Sequence, residues 1–185
     1  MSLPKPLSLS HRFLEDVVKE GDTVVDATLG NGHDALYLAQ LVGKSGRLIG
    51  FDVQRQALDV SAERLGELLG RCELHCCGHE EIGERVTGPV AAVVFNLGYL
   101  PGADKELVTQ TSTTSVAIEA ALNLLRVGGV LSVMCYVGHE GGTEEGRAVR
   151  NLLRGLPRKQ WRVFEYAAVN APNDPPFLLV AERVR

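Results

Sequence analysis

The chain has 185 residues, of which 45% are hydrophobic and 23% are charged, and its net charge at neutral pH is −4. This composition is typical of one globular domain, so we expect a single domain over residues 1–185. The negative charge argues against broad, non-specific binding of nucleic acid. No apolar run approaches the roughly 18 residues of a membrane helix, and the N-terminal segment lacks the apolar core of a secretory signal. We therefore predict a cytoplasmic protein with no membrane partner.

Runs rich in β-formers alternate with helical runs, which predicts parallel strands joined by crossover helices. In the first half of the chain the pattern predicts helices over residues 9–19, 34–41 and 57–69. Between and after them it predicts strands over residues 23–27, 47–53 and 73–77. The second half predicts a strand, a helix, a strand, a helix and two closing strands over residues 91–96, 115–125, 130–137, 144–153, 162–168 and 177–183. We expect Gly128 and Gly129 to end the helix at 115–125. The fold class is thus α/β, a Rossmann-like, doubly wound, mostly parallel seven-stranded sheet with an antiparallel C-terminal hairpin.

The most informative motif is Val24-Val-Asp-Ala-Thr-Leu-Gly-Asn-Gly-His-Asp-Ala35, in which a buried strand leads into a glycine turn and then a helix. Gly30 and Gly32 let a ligand approach the backbone closely, and the following helix presents unpaired N–H groups. Asp26 and Asp52 come at the tips of adjacent strands, where open parallel sheets bind ligands. A carboxylate at Asp26 suits the ammonium and sulfonium groups of S-adenosylmethionine, and Asp52 suits the two hydroxyls of its ribose.

A nicotinamide cofactor is the main alternative for this motif. The segment Gly30-Asn-Gly-His-Asp-Ala35 satisfies the pattern G-x-G-x-x-[G/A], and Asp52 follows about 20 residues later. However, a carboxylate at Asp26 opposes a pyrophosphate, and Gly78-His-Glu80 supplies a polar site where methyltransferases hold adenine. We therefore predict S-adenosylmethionine as the cofactor, bound by a class I methyltransferase fold. An NAD-dependent oxidoreductase and a non-catalytic cofactor-binding module are the alternatives from other classes.

Candidate catalytic residues follow the fourth and fifth predicted strands. Asn96 can accept a hydrogen bond from an acceptor amine, and Tyr99 can stack on a base. His139 titrates near neutrality and can accept a proton from an amine. The structural alternatives are a turn whose tyrosine covers the sheet edge and a histidine that serves only as a hydrogen-bonding group. Loops at this end of a sheet often carry function, so we predict Asn96, Tyr99 and His139 as catalytic residues.

Two further regions are candidates for contacts with the acceptor. Asn170 and Asn173 lie in a loop between the last two strands, where prolines restrict the chain and the asparagines can read a base edge. Arg147 and Arg150 begin a basic stretch that runs to residue 162 and contains no acid. Such a stretch can bind phosphates, and a solvated outer helix face is the alternative.

The cysteines predict neither a disulfide framework nor a metal site. Cys72, Cys76 and Cys77 crowd into one predicted strand, where neighbours cannot readily bridge one another. The cluster of His75, Cys76, Cys77 and His79 matches no standard zinc spacing. We therefore predict reduced thiols and no metal ligand.

Four motifs together resemble one family, the tRNA 5-aminomethyluridine methyltransferases formerly labelled rRNA methylases. They are D-A-T-x-G-N-G-x-D, F-N-L-G-Y-L-P-G-x-D-K, Y-x-G-H-x-G-G and N-x-x-N-x-P-P, and the resemblance runs from about Asp22 to the C-terminus. It implies methyl transfer from S-adenosylmethionine to the primary amine of 5-aminomethyluridine, or its 2-thio form, at the wobble position of the tRNA anticodon loop. An rRNA or a small-molecule acceptor is the alternative with the same cofactor site.

The resemblance also implies roles for particular residues. Cofactor contacts would fall on Asp26, Gly30, Asn31, Gly32, Asp34, Asp52, Gln54, His79, Glu80 and Asn96. Acceptor contacts would fall on Tyr99, His139, Asn170 and Asn173. The sequence leaves the oligomeric state open, a homodimer included.

Overall fold

The computed structural model describes residues 3–99, 108–171 and 175–185. These residues form six α-helices and seven β-strands. In chain order the elements are α1 (Pro6–Val17), β1 (Thr23–Asp26), α2 (His33–Leu41), β2 (Arg47–Asp52), α3 (Arg55–Leu65), β3 (Cys72–Cys76), α4 (Ile82–Arg85), β4 (Val90–Leu97), α5 (Thr111–Leu124), β5 (Leu125–Cys135), α6 (Gly142–Arg154), β6 (Trp161–Tyr166) and β7 (Phe177–Arg183).

The strands form one sheet in the order β3-β2-β1-β4-β5-β7-β6. Strands β1 to β5 pair with one another in parallel, whereas β7 is antiparallel to both β5 and β6. The prediction of a doubly wound, mostly parallel sheet that closes with an antiparallel hairpin at its edge is therefore confirmed.

Helices cover both faces of the sheet because its central strands are apolar on both sides. Val24 packs with residues of α1, α2 and α3, whereas its neighbour Val25 packs with residues of α4, α5 and α6. Successive side chains of a strand point to opposite faces, so adjacent valines serve both layers. A near-continuous apolar strand such as Val90–Leu97 is expected where both faces are buried.

The prediction for Gly128 and Gly129 was wrong. Helix α5 ends at Leu124, and β5 begins at the next residue, so both glycines lie inside the strand. Gly128 has a φ of 75°, and the pairing of β4 with β5 is irregular between Val90 and Ala92. The glycines therefore accommodate an irregularity at the start of β5, which is a common use of glycine in strands.

Helix boundaries moved for identifiable reasons. Helix α1 begins at Pro6, three residues before the predicted start, because proline is favoured at the first helical position. Helix α3 ends at Leu65, since Gly66 adopts a φ of 51°, and the chain continues as a 3₁₀ helix over Gly66–Arg71. The short helix α4 was not predicted.

The strand order places a topological switch point between β1 and β4. The chain proceeds from β1 outward to β2 and β3, then returns to the other side of β1 at β4. In open parallel sheets a crevice forms at such a point beyond the carboxyl ends of the strands. Asp26 ends β1 and Asn96 lies near the end of β4, so two predicted site residues flank this crevice.

Candidate active site

A cleft of about 1130 Å³ opens at the carboxyl ends of the parallel strands. One side, the cofactor wall, consists of residues 28–31, 52–54 and 78–80, which follow β1, β2 and β3. The other side, the acceptor wall, consists of residues 98–99, 108–109, 136 and 138–139, which follow β4 and β5 or precede α5. Asn96 lies among the cleft residues as well.

Asp52 is oriented by two backbone amides. The N–H of Gly30 donates to Asp52 Oδ2 over 2.9 Å, and the N–H of Gln54 donates to Asp52 Oδ1 over 2.9 Å. A carboxylate offers about four acceptor sites, so each oxygen keeps one for a ligand. Two such oxygens side by side fit the vicinal hydroxyls of a ribose, which is the role predicted for Asp52.

The glycine turn brings the backbone close to α3. Gly32 has a φ of 73° and immediately precedes α2. A Cβ at this position would lie 2.8 Å from Ser61 Cα and 2.7 Å from Ser61 Oγ. No side chain fits there, because backbone cannot move away as a flexible side chain can. Arg64 of α3 fixes the same turn by donating to the carbonyl oxygen of Asn31 over 2.6 Å.

Acidic side chains line the cleft, and they decide between S-adenosylmethionine and a nicotinamide cofactor, the two candidates from the sequence. Asp34, Asp52 and Glu80 all line it. A carboxylate-lined cleft attracts the ammonium and sulfonium groups of S-adenosylmethionine and repels a pyrophosphate. The residues present therefore fit S-adenosylmethionine.

Asp26 lies beneath this cleft and does not line it. Its side chain has no exposed surface, and Asp26 Oδ1 accepts the N–H of Thr28 over 3.1 Å. Burial, with the charge of Asp34 second, raises the pKa of Asp26 to about 8. Asp26 Oδ2 has no hydrogen-bond partner among the described residues. A cation bound above this carboxyl group would lower the pKa of Asp26 and favour the ionised form, which in turn attracts a positively charged ligand.

His79 lines the cleft on the predicted adenine side and is held neutral. Its ring packs edge-on against Phe95, with centroids 5.7 Å apart, and Nε2 lies 3.3 Å from Thr114 Oγ1. Burial lowers the pKa of His79 despite nearby acids. A neutral imidazole on an apolar wall can pack against adenine without desolvating a charge.

Asn96 stands between the two walls. Its backbone N–H donates to Thr28 Oγ1 over 2.7 Å, and its Nδ2 donates to Asp34 Oδ2 over 2.7 Å. These bonds connect the end of β4 to the turn after β1 and to the first turn of α2. The structure thus brings together Asn96 and Asp34, which were both predicted as cofactor contacts.

The acceptor wall is aromatic. Tyr99 is 39% exposed, and its ring meets His139 edge to face, with centroids 6.2 Å apart and planes at 90°. Tyr136 lines the same side, and burial raises its pKa, with the charge of Asp34 adding to the effect. Sequence reasoning quoted Tyr136 within a motif but did not select it as a site residue.

His139 has a defined tautomer but a hidden basic nitrogen. Its Nδ1 lies 2.9 Å from the carbonyl oxygen of Glu140, so Nδ1 carries the proton and Nε2 the lone pair. Nε2 is buried, and a Cβ on Gly142 would lie 2.8 Å from it. In this conformation the ring supports Tyr99, and the predicted role as a base requires the ring to turn.

A buried glutamate supports the acceptor wall from below. Glu145, in the first turn of α6, is only 2% exposed. It accepts hydrogen bonds from Thr109 Oγ1 over 2.7 Å and from Thr114 Oγ1 over 2.6 Å. Thr109 Oγ1 in turn accepts the N–H of Gly98 over 3.0 Å. Sequence reasoning missed this network, since an acid at a helix start normally indicates only a favourable interaction with the helix dipole.

The basic stretch does not reach the cleft. Arg150 forms two hydrogen bonds with the carboxylate of Glu165, at 2.9 and 2.7 Å, and lies over the ring of Phe177. Arg147 is exposed on α6, and Asn170 is exposed beyond β6. Asn173 lies outside the described residues. The contacts with the acceptor that the sequence predicts for Arg147, Arg150, Asn170 and Asn173 therefore stay predictions.

His11 and Thr28 are further site residues that the sequence did not reveal. His11 contacts Asp34 from α1, and Thr28 supports Asn96 as described. Thr28 lies within the D-A-T motif, so its position signalled proximity to the cofactor wall. His11 carries no such signal, because it lies in an amphipathic helix well before the first strand.

Two absences concern only the described parts of the chain. Within residues 3–99, 108–171 and 175–185, no group of three or more His, Cys, Asp or Glu side chains is arranged to hold a metal ion. None of the helices described there is long and apolar enough to cross a membrane. Cys72, Cys76, Cys77 and Cys135 are all free thiols.

The doubly wound sheet, the glycine turn and the acid-lined cleft define an S-adenosylmethionine-dependent methyltransferase. Residues 48–182 match the model of the family described as "Putative rRNA methylase", and the chain belongs to that family.

Three relatives extend this assignment. A crystal structure of a "putative rRNA-methylase" from Clostridium thermocellum is 40% identical, with a TM-score of 0.96 over 99% of this chain and all of that one. A "putative methyltransferase" from Streptococcus mutans, solved in complex with SAH, is 38% identical, with a TM-score of 0.90 over 98% of this chain and 99% of that one. A tRNA (mnm(5)s(2)U34)-methyltransferase, chloroplastic, from Arabidopsis thaliana is 35% identical over 97% of this chain and 70% of its own length.

Proposed function

We propose that this methyltransferase N-methylates the aminomethyl group of 5-aminomethyluridine, or its 2-thio form, at the tRNA wobble position, to give the 5-methylaminomethyl base. The observation that carries the proposal is the similarity to the Arabidopsis protein, whose name states this base and position. That similarity spans nearly the whole chain, and so it includes both walls of the cleft.

The size and composition of the cleft support a nucleoside acceptor. Its volume of about 1130 Å³ exceeds the range of roughly 300–1,000 Å³ that holds one drug-sized ligand, so a base has room beside the cofactor. Tyr99 is exposed at this side, and bases taken out of an RNA stack are commonly held against aromatic rings. An anticodon loop supplies such a base without prior unwinding of a helix.

Methyl transfer to nitrogen requires the enzyme to bind the acceptor amine in its neutral form. S-adenosylmethionine supplies, when bound, an electrophilic methyl group on a positively charged sulfur. An alkylammonium has no lone pair, and burial beside a positive charge lowers the pKa of an amine. The side-chain oxygen of Asn96 is a neutral acceptor that can hold an amine N–H and stabilises the charged form less than a carboxylate would. Orientation by Asn96 and Tyr99 is then the main contribution of the acceptor wall.

Contacts to the RNA backbone belong to the same proposal. Arg147 is exposed and available to a phosphate, whereas Arg150 is engaged by Glu165. We assign Asn170 and Asn173 to the acceptor as well, on the strength of the sequence motif. The cytoplasmic location predicted from the sequence is a further part of this proposal, because tRNA is present in the cytoplasm.

The decisive experiment is mass spectrometry of nucleosides from tRNA incubated with the protein and S-adenosylmethionine. The tRNA should come from cells that lack their own activity for this methylation. We expect 5-aminomethyluridines to be converted to 5-methylaminomethyluridines, and Asp52→Ala to slow the conversion strongly at limiting S-adenosylmethionine. If cofactor binding is intact and no conversion occurs, the acceptor is wrong while the enzyme class stands.

An rRNA acceptor is the second candidate, because the matching family is described by rRNA methylation. Transfer of labelled methyl groups to total RNA, followed by separation of tRNA from rRNA, distinguishes the two. Label in rRNA alone would replace the tRNA proposal. Binding of the cofactor with no transfer to any RNA fraction would favour a small-molecule acceptor or a non-catalytic module.

A further inference from the structure

The N-terminal helix places a histidine behind the cleft, where it contacts a residue of the cleft lining. His11 Nε2 lies 2.7 Å from Asp34 Oδ1, and Asp34 Oδ2 accepts Asn96 Nδ2 over 2.7 Å. Asp34 is only 9% exposed and lines the cleft, whereas His11 is partly exposed behind it. Three side chains from α1, α2 and β4 thus form one hydrogen-bonded row that ends at Asn96 in the cleft.

His11 is held in place by independent contacts. Its ring stacks on Tyr37, with centroids 4.2 Å apart and planes 18° from parallel. The hydroxyl of Tyr37 donates to the carbonyl oxygen of His11 over 3.0 Å. The preceding residue, Ser10, forms a buried hydrogen bond of 2.7 Å with Ser132 of β5. Helix α1 is therefore anchored to the sheet and to α2 at the position where His11 meets Asp34.

The row determines which end of the Asn96 amide faces the cleft. An ionised carboxylate only accepts hydrogen bonds, so Asp34 must be met by the NH₂ group of Asn96. The oxygen Oδ1 lies on the opposite branch of the amide and is thereby directed away from Asp34. If Asp34 were protonated, it could donate to the amide oxygen, and the amide would be free to turn over.

The charges around Asp34 keep it in the accepting form. Burial pushes the pKa of Asp34 upward, but the hydrogen bonds from His11 and Asn96, with the charges of His11 and His33, hold it below the ordinary value. The other titratable groups coupled to this carboxylate are Asp26, Tyr37 and Tyr136. Among the contacts described, His11 and Asn96 are the two side chains within hydrogen-bond distance of the Asp34 carboxylate, each at 2.7 Å.

We propose that His11 is a positioning residue for methyl transfer: through Asp34 it keeps the Asn96 amide oxygen directed towards the acceptor. His11 touches neither cofactor nor acceptor in this role, and it supplies a donor rather than a proton. The inference rests on the proposed function only in that the group met by Asn96 is an amine.

Two substitutions separate the donor from the packing. His11→Phe keeps a ring to stack on Tyr37 and removes the donor, whereas His11→Gln keeps an N–H near the position of Nε2. We expect His11→Phe to lower kcat about tenfold, the effect of one hydrogen bond to a charged group, with KM for S-adenosylmethionine within about twofold of the parent. We expect His11→Gln to recover kcat to within about threefold.

A second measurement needs neither acceptor nor turnover. The side-chain NH₂ signal of Asn96 in ¹⁵N-labelled protein, assigned by its loss in Asn96→Ala, reports the ionisation of Asp34 in a pH titration. We expect its inflection to move to higher pH in His11→Phe, since a cause of the low Asp34 pKa is removed, and to return towards the parent in His11→Gln. Asp34→Asn should abolish the inflection, which assigns it to Asp34.

The outcomes are distinct. Unchanged kcat and an unchanged inflection in His11→Phe would overturn the proposal. Equal loss of kcat in both variants with an unmoved inflection would overturn it too, because His11 would then act only through packing. If His11→Phe does not fold, the shorter amide of His11→Asn replaces it as the variant without a donor in reach. If the parent does not methylate tRNA, the proposed acceptor fails, and the titration still decides the role of His11.

Discussion

The two walls of the cleft are built from different kinds of contact. On the cofactor wall, Asp52 accepts backbone N–H groups from Gly30 and from Gln54, which is only two residues away. On the acceptor wall, Gly98 is held through Thr109 and the buried Glu145, which belong to other segments of the chain. The cofactor wall is thus shaped mainly by short backbone turns, and the acceptor wall by side chains brought together by the tertiary fold.

This difference separates two properties of the enzyme. Damage to a side chain on the acceptor wall should leave the Asp52 side of the cofactor wall intact, because that side is held by backbone N–H groups. Affinity for S-adenosylmethionine and turnover with the acceptor should therefore respond to different substitutions. Each substitution below tests one wall against the other.

The largest effect is expected from Asp52→Ala on the cofactor wall. Loss of two charge-assisted hydrogen bonds to the ribose should weaken S-adenosylmethionine binding about 100-fold, measured by calorimetry. Asp59→Ala is the matched control, since Asp59 is an exposed acid on the following helix. Similar affinities for the two variants would contradict the assignment of Asp52.

Glu145→Ala tests whether the acceptor wall depends on its buried carboxylate. The hydroxyls of Thr109 and Thr114 lose their acceptor, so we expect stability to fall by about 3 kcal/mol, or roughly 6–12 °C in Tm for a chain of this size. Differential scanning fluorimetry measures the shift, and the exposed neighbour in Glu144→Ala is the control. Equal Tm values for both variants would show that the network contributes nothing.

Tyr99→Ala removes the aromatic platform of the acceptor wall. Loss of a stacked base should lower kcat/KM for tRNA about 10- to 100-fold, while Tyr99→Phe stays near the parent. The Kd for S-adenosylmethionine should be unchanged in both. A matching loss of cofactor affinity would mean that the walls are not independent at this residue.

Asp26→Asn tests the electrostatics beneath the cofactor wall. Since the folded pKa of Asp26, about 8, lies above its ordinary 3.8, the folded state holds more protons than the unfolded state between these values. Stability of the cofactor-free parent should therefore fall as pH rises from about 4 to 8. The side chain of the Asp26→Asn variant cannot ionise, so the variant should lose less stability over this pH range. At pH 9 we expect its loss in Tm to be smaller than that of the parent by a few degrees.

The affinity for the cofactor should depend on pH in the opposite direction to the stability of the cofactor-free protein. Binding of a cation favours ionised Asp26, so affinity of the parent for S-adenosylmethionine should rise with pH in this range and binding should release a proton. Calorimetry in buffers of different ionisation enthalpy measures that release. A pH-independent affinity in the parent would contradict the assignment.

The smallest effect is expected at the rim. Arg147→Glu should weaken RNA binding about three- to tenfold at moderate salt and lower the slope of log K against log salt concentration by about 1. Lys44→Glu makes the same charge change at an exposed position between α2 and β2. If both variants behave alike, only the net charge matters and α6 does not contact the RNA.

The sequence predicted the sheet well because its strands are apolar runs with clear turn signals between them. Most residues that the structure places on the cofactor wall were also candidates from the sequence, since they come from continuous motifs such as Gly78-His-Glu80, whereas Asp26, predicted with them, lies beneath the cleft. Gly128 and Gly129 misled the prediction, because glycines that end a helix and glycines inside an irregular strand look alike in one dimension.

The parts of the site that escaped prediction depend on contacts between distant segments. His11 lies 23 residues before Asp34 and Thr109 lies 36 before Glu145, and no local pattern marks either pair. The hidden Nε2 of His139 escaped prediction for a different reason, since it depends on the exact geometry of the local turn that brings Gly142 against the ring. Residue types identified candidate chemistry, and only the fold showed which atoms face the cleft.

The network around Glu145 also bears on the order of events during turnover. His79 beside the predicted adenine position meets Thr114, and Thr114 shares Glu145 with the threonine that holds Gly98. We expect occupancy on one side of the cleft to alter affinity on the other through these shared hydrogen bonds. Thermodynamic linkage then requires the acceptor to change cofactor affinity by the same factor. The enzyme would therefore bind its adenine-containing cofactor with a different affinity when an acceptor occupies the other side of the cleft.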